Sequence, residues 1–169
     1  MPILNPLREE GFTLIELVVV MVIVGILAAI VVPRGISTAE ATAESQAQKF
    51  ASDLRRAQLF ATTKTQRVCV EVSSTGYSVR GKMADNSATC ADMLIDPYSA
   101  SAISIATENG VLISMAGGGS PTPVYFNSRG APFSNGTTID NFTGATYQFN
   151  PSSVRVTVQP TSGQVIVQR

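Results

Sequence analysis

The sequence predicts an α+β fold: a long N-terminal helix packed on an antiparallel β-sheet domain. Three observations predict it. Residues 12–32 form an apolar run with one formal charge, Glu16. From Ser37 to about Lys64, apolar residues recur at steps of three and four. After Lys64 the period changes to two, between turns rich in Gly, Pro, Asn and Ser.

The apolar run comes first. At about 1.5 Å per residue it is roughly 31 Å long, enough to cross a bilayer core. It is too long for the apolar centre of an ordinary signal peptide. A cut further on, near Ala39-Glu40-Ala41, would make an ordinary secreted protein; Glu16 and the length of the run argue against it. A carboxylate among Leu, Ile and Val costs about 2.5–3.5 kcal/mol to insert, so Glu16 calls for a partner. A cut after Gly11 would supply one, the new α-amino group of Phe12, most easily on a neighbouring subunit.

The order Gly11-Phe12-Thr13-Leu14-Ile15-Glu16 before a long apolar run resembles the class III signal of type IV pilins and type II secretion pseudopilins. The resemblance implies the pilin fold and three roles: Gly11 as the cleavage point, Phe12 as the N-methylated first residue, and Glu16 as an assembly residue. Pro33 stands where that family often kinks its helix. The implied partners are a prepilin peptidase, other pilin or pseudopilin subunits and an inner-membrane assembly platform. The implied location is the bacterial inner membrane, single-pass, with a periplasmic domain. The expected organisation is a leader (1–11), a transmembrane and assembly helix (12–33), an amphipathic helix (34–65) and a β-rich globular domain (66–169). Arg8 is the leader's one basic residue, and Glu9-Glu10 precede Gly11.

Pro33-Arg34-Gly35 follows the run. Proline inside a helix removes a ladder bond and kinks it. It reads equally as a bendable segment from Gly25 to Pro33 or as a membrane exit with Arg34 as the interfacial charge. In the second helix Ala43, Ala47, Phe50, Leu54, Ala57 and Ala61 form one apolar stripe, expected to lie on a sheet. Lys49, Asp53, Arg55 and Arg56 are expected to face elsewhere. Ala and Gln favour the helix; Thr62, Thr63 and Thr65 weaken its end.

Val68, Val70 and Val72 alternate with Cys69 and Glu71, and a turn at Ser73–Gly76 returns the chain as a hairpin. Residues 83–101 read as irregular. Strands are expected at 103–105 and 111–113 around Asn109-Gly110, then a flexible loop at 117–123, a buried strand at 124–126 closed by Ser128-Arg129-Gly130, and strands at 146–150, 154–158 and 164–167. The last two make a hairpin across Pro160–Gly163.

Composition excludes several classes. The 169 residues carry 12 basic and 12 acidic side chains and no His. That is no nucleic-acid-binding balance, and imidazole metal sites and His-dependent catalysis are excluded. Asp85, Asp92 and Asp96 do not have the spacing of a calcium loop. No nucleotide loop, zinc spacing or nucleophile elbow appears, so neither cofactor nor enzymatic activity is expected. Two cysteines in an exported domain most often pair, which would join Cys69 to Cys90 and stabilise by roughly 3 kcal/mol.

The later chain resembles the FimT/GspH branch of the family: Leu54 to Ala57 at the helix end, Tyr125, Phe126 and Gly130, and a closing strand–Gly–strand from Val154 to Val167. The branch implies a minor pilin or pseudopilin, a structural subunit. Its FimT side implies an alternative, a DNA-binding competence pilin. Arg129, Arg155 and Arg169 are then the candidate contacts, although Gly163-Gln164-Val165-Ile166 stands where that side has a clustered Gly-Arg-x-Arg tail.

Overall fold

A computed structural model of the chain describes residues 13–31, 38–81, 92–93, 101–133 and 142–169. It divides into two units, residues 1–36 and 37–169.

The first unit contributes helix α1 (Leu14–Val31). Its start has a local cause. Thr13 precedes it, and the Glu16 backbone N–H donates to Thr13 O at 3.1 Å and to Thr13 Oγ1 at 3.4 Å. That is one half of a capping box, Thr-x-x-Glu. Glu16 also sits in the first turn, where a negative charge suits the helix dipole. The helix covers 18 residues, about 27 Å. No helix among the described residues is long and apolar enough to cross a membrane. The expected crossing takes in Phe12, Val32 and Pro33, which lie outside them.

The described residues of the second unit form helix α2 (Thr38–Thr63) and ten strands: β1 (Val68–Ser73), β2 (Gly76–Gly81), β3 (Asp92–Met93), β4 (Ser104–Ala106), β5 (Leu112–Met115), β6 (Val124–Phe126), β7 (Pro132–Phe133), β8 (Ala145–Asn150), β9 (Arg155–Val158) and β10 (Val165–Gln168). They form two antiparallel sheets, not one. The first has the order β3-β2-β1-β6-β7, with β4 also on β2; the second is β10-β9-β8-β5. The expected hairpins at β1–β2 and β9–β10 are present. The Asn109-Gly110 turn is different. Both residues have positive φ, and the turn carries the chain from β4 on the first sheet to β5 on the second.

All six residues of the predicted α2 stripe are fully buried. Phe50 makes the two sheets one core. Its ring packs edge-on against Tyr77 of β2 (4.8 Å) and Tyr147 of β8 (5.2 Å), and at 5.6 Å from Phe149. Around it lie Leu54, Val70, Val79, Val124, Phe126, Ile113, Val156 and Val158.

The outer edge of β5 is closed. The Ile113 N–H donates to Ser74 O of the β1–β2 turn, and the Met115 N–H to Gly119 O. An edge with its donors taken does not template further strands. The 117–123 segment, expected to be flexible, is held by that bond and by Tyr147, whose hydroxyl donates to Thr122 O at 2.6 Å. Burial pushes the Tyr147 hydroxyl pKa well up.

Candidate functional site

Two regions carry the predicted functional residues. In the first, Gly11, Phe12 and Pro33 lie outside the described residues, and Glu16 is exposed on α1. Its neighbours Leu14, Ile15, Leu17, Val18, Val19, Val20 and Met21 are exposed too, and the pattern continues to Leu27. The helix has no polar face for water and no apolar face buried within its own unit. What it offers is a cylinder of aliphatic side chains with one carboxylate near its N-terminus.

The second region is the set of arginines on the sheet domain. The structure divides the three candidates. Arg155 of β9 pairs in register with Gln168, and Arg155 and Arg169 line one open cleft with Ser153 and Gln168. Arg169 is bonded there to Glu44 of α2. Arg129 belongs to the opposite end of the β9–β10 hairpin. It sits in a turn that Asn127 organises, the Asn127 Oδ1 accepting from the N–H of Arg129 and of Ala131, both at 2.9 Å. The carbonyl of Gly130 in that turn accepts from Gln58 Nε2 at 2.8 Å. The same amide donates to Ser162 O in the hairpin loop at 3.1 Å. One glutamine thus fixes two turns against the end of α2. Arg129, Arg155 and Arg169 thus do not form one cluster.

Asp53 corrects the sequence reading. It does not face away from the core. It is 7 % exposed and accepts a hydrogen bond from the Tyr77 hydroxyl at 2.8 Å, with Arg56 at 3.7 Å. Burial and the adjacent Asp53 carboxylate hold the Tyr77 hydroxyl pKa far above its ordinary value. The signal was present in the spacing: position 53 follows Phe50 by three and precedes Ala57 by four, so it falls on the buried arc. The capping pair Thr13 and Glu16 was legible in the same way.

Cys69 is 1 % exposed and is not a free thiol. It lies on the sheet face opposite Val68 and Val70, next in register to Tyr125, whose ring is 5.4 Å from that of Phe133. Arg67 lies over the Phe133 ring at 5.7 Å. Cys90, Asp85 and Asp96 are outside the described residues; of Asp92 only the backbone, in β3, is described.

An aliphatic N-terminal helix followed by an alanine-rich helix laid over antiparallel sheets defines a pilin-like structural subunit. Comparison with known sequences makes this specific. Residues 7–32 match the prokaryotic N-terminal methylation motif, and residues 46–163 match the type II transport protein GspH family. The chain belongs to that family. It is 37% identical over 90 residues to PilA5, the type IV narrow pilus major component of Thermus thermophilus, covering 49% of this chain and 78% of that one. Two solved structures of the minor pseudopilin EpsH from the type 2 secretion system of Vibrio cholerae share its fold. One has a TM-score of 0.54 at 16% identity over 75% of this chain and 94% of that one. The other has 0.51 at 18% over 76% and 94%.

Proposed function

We propose that this chain is a minor pilin or pseudopilin, cleaved after Gly11, N-methylated at Phe12, and built into a type IV pilus or a type II secretion pseudopilus. The observation that carries the reading is the exposure of every described side chain along α1 from Leu14 to Ala28, in a segment that matches the methylation motif. Such a surface needs a non-aqueous surrounding. A bilayer supplies it before assembly, and the matching helices of other subunits supply it afterwards. Residues 12–33, about 33 Å as a helix, would span the inner membrane once and leave the sheet domain in the periplasm.

In this reading a prepilin peptidase acts on Gly11 and Phe12, and an inner-membrane platform drives assembly. Glu16 pairs with the Phe12 amine of a neighbouring subunit, and Pro33 allows the helix to bend on packing. Cys69 pairs with Cys90, pinning the segment between them to β1. The DNA-binding alternative is less well supported. Arg155 and Arg169 share a cleft, but Glu44 already holds Arg169, and Arg129 is at the other end of the hairpin.

Mass spectrometry of the N-terminal peptide, from protein taken out of native membranes or sheared fibres, tests the reading. The expected peptide begins with N-methylated Phe12. A start near Ala41 or Thr42 would sink it in favour of a secreted soluble domain. An unprocessed N-terminus would leave Glu16 without its amine.

A further inference from the structure

The second sheet turns one face to the core and the other away from it. Ile113, Tyr147, Phe149, Val156, Val158 and Val165 belong to the core, so alternation points their strand neighbours outward. The register sets four of these neighbours in one row across all four strands: Gln168 of β10, Arg155 of β9, Gln148 of β8 and Ser114 of β5. At the usual strand spacing the row is about 14 Å long. Each end opens into a cleft. At the β10 end it is the cleft of about 670 Å³ that Arg155 and Gln168 line with Ser153 and Arg169. At the β5 end it is one of about 500 Å³, where Ser114 and Asn150 face the loop of Gly118 to Pro121.

The groove has one kind of chemistry. The β5 cleft offers the hydroxyls of Ser73, Ser114 and Ser120, the Asn150 amide, and aliphatic surface from Leu112 and Pro121. No outward position on the four strands carries a carboxylate. The described carboxylates of the domain lie elsewhere. Asp53 is buried, Glu71 pairs with Arg80 of β2, and Glu40 and Glu44 are on α2. Glu108 is in the turn that Asn109 ties to Thr42 of α2. Glu44 reaches the rim of the β10 cleft, where Arg169 holds it. Arg155 is exposed, and among the described residues no carboxylate pairs with it. The polar side chains are also set in place. Asn150 Nδ2 donates to Ser114 Oγ at 3.1 Å, Gln148 Nε2 donates to Asn150 Oδ1 at 3.4 Å, and the Thr146 and Thr157 hydroxyls bond at 3.1 Å.

We propose that this groove binds a polysaccharide that contains uronic acid. Sugar hydroxyls both donate and accept, and so do the amides and hydroxyls of the row. A ring carboxylate fits the planar fork of Arg155, the one cation of the row free to take it. The C–H face of a sugar ring covers Leu112 and Pro121. Side chains already held by one another lose little freedom on binding. Nucleic acid fits less well, because it needs several phosphate contacts and the row has a single unpaired guanidinium. A protein partner fits less well too, because the row has no large apolar or aromatic centre. The site belongs to the sheet domain alone and does not depend on how α1 is processed or packed.

The test is calorimetric titration of the full chain in detergent micelles. The probes are a short galacturonate oligomer, the same oligomer with its carboxyls reduced to alcohols, and a single-stranded DNA oligomer of similar charge. Saturable binding of the galacturonate is expected, with weaker binding of the reduced form. Arg155→Gln is expected to lower affinity for the galacturonate about tenfold and leave that for the reduced form unchanged. Gln148→Ala is expected to lower both about threefold. Lys64→Gln removes a charge 20 residues beyond Glu44, about 30 Å along α2, and is expected to change neither. Far-ultraviolet circular dichroism checks that each variant is folded.

A galacturonate oligomer that does not bind would overturn the proposal. Equal losses from Arg155→Gln and Lys64→Gln would do so as well, by showing diffuse charge attraction in place of a site. DNA bound more tightly than galacturonate, and through Arg155, would put nucleic acid where the glycan is proposed. None of these outcomes bears on assembly, which the N-terminal peptide tests separately.

Discussion

Helices α1 and α2 follow one another in the chain and solve opposite problems. The side chains of α1 are almost all aliphatic, and those described are all exposed. Helix α2 is rich in Ala, Gln, Ser and charge, and buries Ala43, Ala47, Phe50, Ala51, Leu54, Ala57 and Ala61 completely. The more apolar helix is therefore the one that has no buried face within its own unit. Apolar content alone does not make a core. A core needs a stripe that matches a partner surface in the same chain, and α2 has one on two sheets. Helix α1 has no stripe, because every direction is equally apolar, and in the proposed function its complement is lipid or the helices of other subunits.

The sharpest way to break this comparison is to cut side chains on each helix. Phe50→Ala removes the ring that touches Tyr77, Tyr147 and Phe149, and is expected to destabilise the sheet domain by about 3–5 kcal/mol in chemical unfolding. Val20→Ala, on α1, is expected to change the same transition by less than about 0.5 kcal/mol. If Val20→Ala destabilised the sheet domain as Phe50→Ala does, the two helices would not be separable in this way.

Gly163→Ala probes how α2 holds its loops. Gly163 has φ +66°, and a Cβ there would lie 2.8 Å from Gln58 Nε2 and 3.0 Å from Gly130 O. The substitution forces apart the two turns that Gln58 joins. A loss of about 2 kcal/mol is expected in the same unfolding assay, from backbone strain and a displaced hydrogen bond together.

Tyr77→Phe sharpens the comparison through pH. Burial, and then the Asp53 bond and charge, raise the Tyr77 hydroxyl pKa above its unfolded value near 10. The unfolded chain therefore loses that proton first as pH rises. The stability tied to a neutral Tyr77 is complete below about pH 10 and is lost above it. Tyr77→Phe is expected to cost about 1–2 kcal/mol at pH 7, where Asp53 loses a buried donor, and to flatten part of the alkaline decline. Unfolding curves at pH 7 and above pH 10 check both. An unchanged slope above pH 10 would place the alkaline sensitivity on Tyr147 or Tyr125 instead, whose hydroxyl pKa values burial also raises.

Much of this was legible in the sequence, for reasons that also explain the misses. The α2 stripe was visible because a period near 3.6 is a property of one helix. The β1–β2 and β9–β10 hairpins were visible because their turns are local. The division into two sheets was not, since Asn109-Gly110 reads the same in a hairpin as in a crossover, and only the partners of β4 and β5 tell them apart. Strands β3 and β7, two residues each, are too short to show alternation. Asp53 was misplaced because its charge outweighed its position between Phe50 and Ala57. Its neutralising contacts, Tyr77 and Arg56, include one 24 residues away that no local pattern announces. The three arginines were grouped by the resemblance to the FimT side, whose basic residues lie towards the C-terminus, whereas Arg155 and Arg129 lie at opposite ends of the β9–β10 hairpin.

The smallest expected effect lies at the C-terminus of α2, where the helix stops on a strained residue. The Gln66 N–H donates to Ala61 O at 3.1 Å, the six-to-one bond of a Schellman motif, which puts Thr65 at the left-handed position with φ 50°. Glycine occupies that position most often, because a Cβ there crowds the following carbonyl, and a β-branched residue crowds it most. Thr65→Gly removes the crowding but frees the unfolded chain, so the two effects partly cancel. A net gain of about 0.5–1 kcal/mol is expected, read as a higher denaturant midpoint with an unchanged slope. The corresponding change on the other helix, Gly25→Ala, adds a Cβ that meets nothing within 4 Å and is expected to leave the sheet-domain midpoint where it was. If Thr65→Gly instead destabilised the domain, the threonine side chain would be holding the helix end through a contact worth more than its strain. The stop of α2 would then be tertiary in origin, and the contrast with the capped, self-contained start of α1 at Thr13 and Glu16 would be sharper still.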